Sequence, residues 1–140
     1  MSGIVNSAGS KAGVIGETEL DYEEGTFTPT NHGGTVSMSK NTVYYTKIGR
    51  IVNINVYVDL GSDGDGTVMQ MAGMPFASAT NAYASTVLNA QRTNGKHIYA
   101  RINPASTVVG FYNMADQGAI DESEVDNGHF IFTLTYTTAG

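Results

Sequence analysis

Residues 51–60, with the sequence IVNINVYVDL, constrain the fold more than any other part of the chain. Apolar side chains occupy every second position, and mainly polar side chains occupy the positions between them. Since successive side chains of a β-strand point to opposite faces of a sheet, this pattern predicts a strand with one buried face. That buried face comprises Val52, Ile54, Val56, Val58 and Leu60.

Residues 129–138 near the end of the chain repeat the same alternation. Threonines at positions 133, 135 and 137 define the polar face of this second predicted strand. An apolar sheet face must pack against another layer, so we predict that both strands contribute to one core. The apolar face of the second strand carries Phe130, Phe132, Leu134 and Tyr136.

Weaker β-type runs and turn signals fill the rest of the chain. Gly49–Arg50 predicts a tight hairpin between residues 42–60, and Asn94–Gly95 is the strongest short hairpin signal. With 17 glycines, no helical period and about eight short strands, the sequence predicts an all-β fold, an antiparallel β-sandwich of jelly-roll type. The weaker runs are residues 25–30, 42–48, 67–72, 82–89, 97–103 and 107–113.

Residues 1–20 differ from the remainder, because they are rich in Gly, Ser and Ala. A segment of this composition cannot bury enough apolar surface to fold alone, so it is a disordered tail or an extended arm that orders on a partner. Four aliphatic side chains favour the arm, namely Ile4, Val5, Val14 and Ile15. We therefore expect a docking arm at residues 1–20, a head domain at 21–140, and an acidic hinge at 21–24.

Charge and motif spacing argue against several classes of function. The formal net charge is −6 and no run of Lys or Arg occurs, which argues against a nucleic acid partner and a polybasic membrane patch. No apolar stretch approaches the roughly 20 residues that span a bilayer, so membrane insertion is not expected. The chain has no Cys, and its three histidines lack metal-ligand spacing. The sequence therefore predicts no metal, no cofactor and no enzymatic activity.

Two acidic clusters remain as candidates for a cation site. Asp63 and Asp65 form only a fragment of a calcium-binding loop, and the sequence predicts a solvated hairpin turn there. The second cluster lies in AIDESEVDNG, and we expect a solvated surface loop. Its acidic residues are Asp121, Glu122, Glu124 and Asp126.

The chain has eight tyrosines and no Trp. Tyr44 and Tyr45 are adjacent in a predicted strand, so one should enter the core and the other should be exposed. Exposed tyrosines beside Asn and Asp occur at sugar-binding and protein-binding surfaces, although half-exposed tyrosines are also common on ordinary sheets. The pattern alone leaves both interpretations open.

Three segments of the chain resemble a known module. DYEEGTFTPT at 21–30, YTKIGRIVNINVYVDL at 45–60 and GMPFASA at 73–79 are similar to a β-rich module at the ends of tail fibres and related virion proteins of tailed bacteriophages, marine ones particularly. Phe27 replaces a Trp of that family, and Met74 replaces a Leu. The resemblance implies structural rather than catalytic roles for Tyr22, Phe27, Tyr45, Ile48, Gly49, Arg50, Gly73, Pro75 and Phe76.

The resemblance also implies a place in the virion. We expect a homotrimeric, tail-fibre-like head that attaches to a host surface glycan or protein and contacts other virion proteins. The alternative is a capsid decoration, cement or head-fibre protein that docks through the aliphatic residues of the arm. A polysaccharide-degrading enzyme is a third class, but such tailspikes are much longer β-helical chains.

Overall fold

The computed structural model describes residues 21–91 and 93–139. Within them the chain forms two antiparallel sheets of five strands each, which confirms the predicted all-β sandwich. A single 3₁₀ turn, Glu122–Glu124, precedes the last strand. The strands are β1 (Tyr22–Thr26), β2 (Thr30–Asn31), β3 (Met38–Ile48), β4 (Ile51–Leu60), β5 (Gln70–Ala72), β6 (Ala84–Val87), β7 (Asn89–Ala90), β8 (Ile98–Ile102), β9 (Val109–Asn113) and β10 (His129–Thr137).

The first sheet has the strand order β1-β3-β4-β10-β7, and β4 is its central strand. Val56 lies opposite Val43 on β3 and opposite Phe132 on β10, so these three side chains share the buried face. The second sheet has the order β2-β5-β9-β8-β6. Its buried positions alternate in the same way, for example along β8.

The core lies between the two apolar sheet faces. Phe111 of β9 stacks on Phe130 of β10 with ring centroids 4.3 Å apart, and its ring meets the edge of Phe132 at 6.0 Å. All nine predicted inward residues of the two amphipathic strands are buried there, as expected from their period. The predicted common core is therefore confirmed.

The acidic run was expected to be a hinge, and this expectation is wrong. Residues Tyr22–Thr26 form the edge strand β1, which pairs antiparallel with β3 from Tyr22 to Thr26. An edge strand tolerates charged side chains because one of its sides is not covered by another strand. The acidic residues therefore belong to the first strand of the sandwich.

Other strand boundaries shift where the chain bends. Pro29 separates β1 from β2, so the run at 25–30 is not one strand. The run at 82–89 divides into β6 and β7 around Leu88, because the chain passes there from the second sheet to the first. Strand β3 begins at Met38, before the predicted residue 42.

The two predicted tight turns have different outcomes. Gly49 takes φ 58° and joins β3 to β4 in the predicted hairpin. Asn94 and Gly95 also take positive φ values, of 49° and 80°, and form a turn. However, the flanking strands β7 and β8 belong to different sheets, so the predicted hairpin at Asn94–Gly95 is wrong. A two-residue turn reverses the chain but does not decide which strands pair.

We expect the variant Val56→Asp to prevent folding. Val56 is buried in the central strand, and an unpaired buried carboxylate costs several kcal/mol, about the total stability of a small domain. Circular dichroism and thermal melting measure the outcome. The matched control is Asn55→Asp, which adds the same charge at the neighbouring exposed position and should leave the melting transition in place. A Val56→Asp variant that melts like the parent contradicts the assigned core face.

Candidate functional site

The three segments that carry the phage-module resemblance meet at one end of the sandwich. β1 places Glu23 opposite Lys47 and Gly25 opposite Tyr45 on β3. The ring of Tyr45 meets Phe76 edge to face, with centroids 5.4 Å apart. We call Asp21, Glu23, Tyr45, Lys47 and Phe76 the motif cluster.

Lys47 is the buried charge of the motif cluster. Its ammonium forms an ion pair with the carboxylate of Asp21 and lies 5.7 Å from the centroid of the Phe76 ring. A buried ammonium without a partner is strongly destabilising, so the acidic residue and the aromatic ring are required where the lysine is present. This arrangement gives Asp21, the first residue of the acidic run, a structural partner in the YTKIGR segment.

Tyr45 links the acidic strand to the GMPF segment. Its hydroxyl donates a hydrogen bond to Glu23 Oε1 at 2.7 Å. This bond, with a smaller contribution from burial, raises the pKa of Tyr45 above its ordinary value, so the hydroxyl remains a donor. A Cβ at Gly25 would lie 2.9 Å from the Tyr45 hydroxyl oxygen, so a glycine is needed where the ring crosses β1.

The glycines and Arg50 of the motifs hold the backbone of this end. Gly49 N donates to the carbonyl of Asp21 at 2.7 Å, and Arg50 Nε donates to the carbonyl of Thr138 at 3.0 Å. Gly73 takes φ 92°, and a Cβ there would lie 2.7 Å from the carbonyl oxygen of Thr28. The hairpin turn at Gly49–Arg50 therefore contacts both Asp21 at the start of the sandwich and Thr138 near its end.

The remaining motif residues divide into two groups. Phe27, Tyr45 and Phe76 are partly buried and pack against the core from its edge. Pro75 is partly buried beside Phe76. Tyr44 is exposed, so the predicted division between Tyr44 and Tyr45 is confirmed.

Tyr22 and Ile48 lie on the outward face instead. Tyr22 is opposite Ile48, and Ile48 is opposite Ile51 of β4, so the three exposed side chains form a continuous line across three strands. We call this line the apolar row. It lies on the outer side of the sheet at the end occupied by the motif cluster, next to Asp21, the first described residue. The predicted docking residues Ile4, Val5, Val14 and Ile15 lie outside the described residues.

Tyr136 completes the inner side of the motif cluster, and no motif pointed to it. Its hydroxyl donates to the carbonyl of Phe76 at 2.8 Å. Burial raises the pKa of Tyr136 from its usual 10 to about 12. Its apolar position in the alternating strand was predictable, but its hydrogen-bond partner was not.

The expected solvated loop at residues 121–126 is wrong for Glu122, which is 0% exposed. Oxygen Oε2 accepts hydrogen bonds from the backbone N–H groups of Thr35 at 3.0 Å and Val36 at 3.1 Å, and from the Thr35 hydroxyl at 3.2 Å. Oxygen Oε1 accepts one from the Asn31 side-chain amide. The carboxylate is thus buried because donors from a segment about 90 residues away in sequence surround it.

The SDGDG segment packs on the same loop. Glu122 N donates to Thr67 O at 2.9 Å, and Ser123 N donates to Asp65 O at 2.9 Å. Gly34 is required there, since a Cβ would lie 1.7 Å from Glu122 Oε1. The Asp65 carboxylate accepts a hydrogen bond from Thr67 N, and its hydrogen bonds with Thr67 are the main reason that the pKa of Asp65 is lowered. We call residues 31–36, 61–67 and 121–126 the Glu122 loop assembly.

The acidic side chains do not combine into a metal centre. Among the residues that the structure describes, no group of three or more His, Asp or Glu side chains is arranged to hold a metal ion. Glu124 forms an ion pair with Lys96, and this pairing lowers the pKa of Glu124.

An open depression of about 440 Å³ lies beside Lys96, His97 and Met114. Within the described ranges, no helix is long and apolar enough to cross a membrane.

We expect Glu122→Ala to lower the free energy of unfolding by about 3 kcal/mol. The variant leaves buried N–H and hydroxyl donors without an acceptor, and hydrogen bonds to charged groups are the stronger ones. Urea unfolding measures the change. Glu24→Ala removes an exposed carboxylate from β1 and should change stability by less than about 0.5 kcal/mol. Equal effects of the two variants would show that the Glu122 hydrogen bonds contribute little.

We expect Tyr136 to make the free energy of unfolding depend on pH in the alkaline range. Its pKa is about 12 in the folded chain, against 10 when it is solvated, so the unfolded chain loses this proton first. The free energy of unfolding therefore falls as the pH rises from about 10 to 12, by at most about 2.7 kcal/mol from this group. Tyr136→Phe should reduce that fall, as measured by urea unfolding across this range. If the free energy of unfolding falls equally in the parent and in the variant, other tyrosines cause the fall.

Comparison with known proteins gives no relative for this arrangement. No family model, no curated protein and no solved structure matches the chain.

Proposed function

We propose that this chain is a structural protein of a tailed-bacteriophage virion, in which the sandwich is a tail-fibre-like head that attaches to the host surface. One observation carries the proposal: the three segments similar to tail-fibre modules converge in the motif cluster. A chance likeness of three short segments does not require that their side chains contact one another. Their contacts support the view that they form one inherited structural unit.

The motif cluster gives the head a fixed point of entry. The Asp21 carboxylate is paired with Lys47, and its carbonyl accepts from Gly49. Residues 1–20 therefore join the head at a residue that is held at two positions. A head that is fixed at one end leaves its sheet faces available, which suits a protein that contacts virion proteins at one end and a host glycan or protein elsewhere.

The proposal includes no catalytic role, no cofactor, no nucleic acid partner and no membrane insertion. Several carboxylates instead have structural partners. Asp21 pairs with Lys47, Glu23 accepts from Tyr45, and Glu122 accepts from backbone donors. These carboxylates are engaged in contacts within the protein, whereas a glycosidase needs a pair of carboxylates that are available to its substrate.

We further propose that the head is a homotrimer. A small domain gains stability by burying more surface, and the outward face of the first sheet carries many neutral Thr and Asn side chains, which suit contact with another copy. Light scattering on the purified chain should give about three times the mass of one copy. A monomer at high concentration argues against the trimer.

The alternative is a capsid decoration, cement or head-fibre protein. The apolar row favours it, because three neighbouring exposed apolar side chains at the entry end are suited to contact with another virion subunit. In this alternative, the end of the sandwich that is joined to residues 1–20 also contacts the neighbouring virion subunit.

Labelling of purified virions tests the proposed function. Antibody-gold particles should mark the tail tip if the chain is a host-attachment head. Labels distributed over the capsid surface favour the decoration alternative. Absence of the protein from purified virions rules out both.

We expect deletion of residues 1–16 to leave the head folded but to lower its incorporation into virions. The deleted segment contains four aliphatic side chains, each worth roughly 1.5–3 kcal/mol when buried, which offsets part of the cost of ordering the segment. The measurement is the occupancy of truncated against full-length protein on purified virions.

Thermal melting of both proteins is the control for this deletion. The melting temperature should be unchanged, because the described sandwich begins at Asp21. Equal occupancy of the two proteins would mean that the head itself docks, and it would weaken the decoration alternative.

A further inference from the structure

The outward face of the second sheet carries two tyrosines and an arginine that stack on one another. Tyr99 of β8 lies opposite Tyr112 of β9, and their ring centroids are 5.5 Å apart with an interplanar angle of 28°. The guanidinium carbon of Arg101 lies 4.2 Å from the centroid of the Tyr112 ring. We call Tyr99, Arg101 and Tyr112 the aromatic stack.

The strands hold the aromatic stack in place without a ligand. Gly110 lies opposite Arg101, and a Cβ there would be 2.7 Å from the Tyr112 hydroxyl oxygen. The missing side chain thus lets the Tyr112 ring lie over Gly110 and reach the guanidinium. Arg101 Nε also donates to Asn103 Oδ1 at 3.0 Å, which fixes the guanidinium plane. Side chains held in this way lose little conformational freedom when a ligand binds.

The polar groups of the aromatic stack retain binding capacity. Within the described residues, neither tyrosine hydroxyl has a hydrogen-bond partner and Arg101 has no carboxylate partner. A guanidinium pairs with a carboxylate through two parallel hydrogen bonds. The chain has a formal net charge of −6, yet the outward positions on β6, β8 and β9 include no acidic residue. These positions are Ser85, Val87, Tyr99, Arg101, Gly110 and Tyr112.

We propose that the aromatic stack binds a carboxylated saccharide. The sugar carboxylate pairs with Arg101, the apolar face of the sugar ring packs against the tyrosine rings, and the sugar hydroxyls bond with the phenol hydroxyls. Tyrosine suits this contact because it offers a rigid amphipathic surface at low entropy cost. This inference rests on the proposed host-attachment function and names the chemistry of the receptor.

The same face is a poor site for a protein partner. Stable protein interfaces bury about 800 Å² on each side and have an apolar centre. Among the outward positions of β6, β8 and β9, Val87, which is 65% exposed, is the one large aliphatic side chain. A rigid polar stack with a single cation matches a small anionic ligand better.

An array of carboxylated, sulfated and neutral oligosaccharides tests the proposal with the full-length protein. Carboxylated oligosaccharides should bind, and neutral ones with the same linkage should bind at least about tenfold more weakly. Calorimetry with the strongest carboxylated binder then compares variants. Arg101→Gln and Tyr112→Ala should each weaken binding about tenfold or more. An array without any carboxylated binder, or with a preference for neutral sugars, overturns the proposal.

Tyr44→Ala is the matched control, because Tyr44 is an exposed tyrosine on the outward face of the other sheet. Its binding should equal that of the parent, and all variants should melt at the parent temperature. If Arg101→Gln fails to fold, Arg101→Lys keeps the charge but loses the planar fork, and it should still bind more weakly than the parent. Equal binding by the parent and the folded Arg101 variant overturns the proposal.

Staining of host cells distinguishes this inference from the proposed function. If the parent protein and the Arg101 variant stain cells equally, host attachment holds and the aromatic stack is not the site. If staining survives periodate oxidation of glycans but not protease treatment, the receptor is a protein and the saccharide proposal fails. If carboxylated saccharides bind but the protein is absent from virions, the site holds and the proposed function fails.

Discussion

The contact between Phe111 and Phe130 joins the two sheets, and the fold depends on it. Each sheet is apolar on one face only, so neither could stay in solution without the other. The two rings stack at 4.3 Å from opposite sheets and lie where the inward residues of β4 and β10 also meet.

The parts of the fold that the sequence predicts are those with a strict local period. Strands β4 and β10 alternate without interruption, and their buried faces were identified residue by residue. The strand order was not predictable, because pairing is decided by side chains far apart in the chain. Asn94–Gly95 illustrates this limit: the turn forms as its residues require, yet the strands beside it join different sheets.

The candidate site was also only partly predictable from the sequence. The motif segments were identifiable from sequence, but their mutual contacts were not, since Asp21 and Lys47 are separated by 26 residues. Glu122 was missed because an acidic residue in an acidic loop is usually solvated. Its donors come from Asn31, Thr35 and Val36, and nothing near Glu122 in sequence announces them. The aromatic stack was missed because its tyrosines lie on separate strands.

The two buried charges at different places in the sandwich are compensated in different ways. Lys47 has a carboxylate partner, whereas the described partners of Glu122 are hydrogen-bond donors of neutral groups. The first arrangement weakens with salt to the extent that solvent reaches it, whereas the second depends on loop geometry. Lys47 lies near the end of β3, and Glu122 lies in the 3₁₀ turn before β10.

The pairing of β1 with β3 has a mechanical consequence. Residue 21 is where a force applied through the preceding chain enters the sandwich, and β1 runs antiparallel to β3 from that point. A pull directed along β1 therefore loads its ladder of hydrogen bonds in shear, so that the bonds resist together instead of breaking one after another. The Asp21–Lys47 ion pair and the Asp21–Gly49 hydrogen bond lie at the loaded end of this ladder. A sandwich held in this way bears tension along the strand better than one joined to the preceding chain through a free loop.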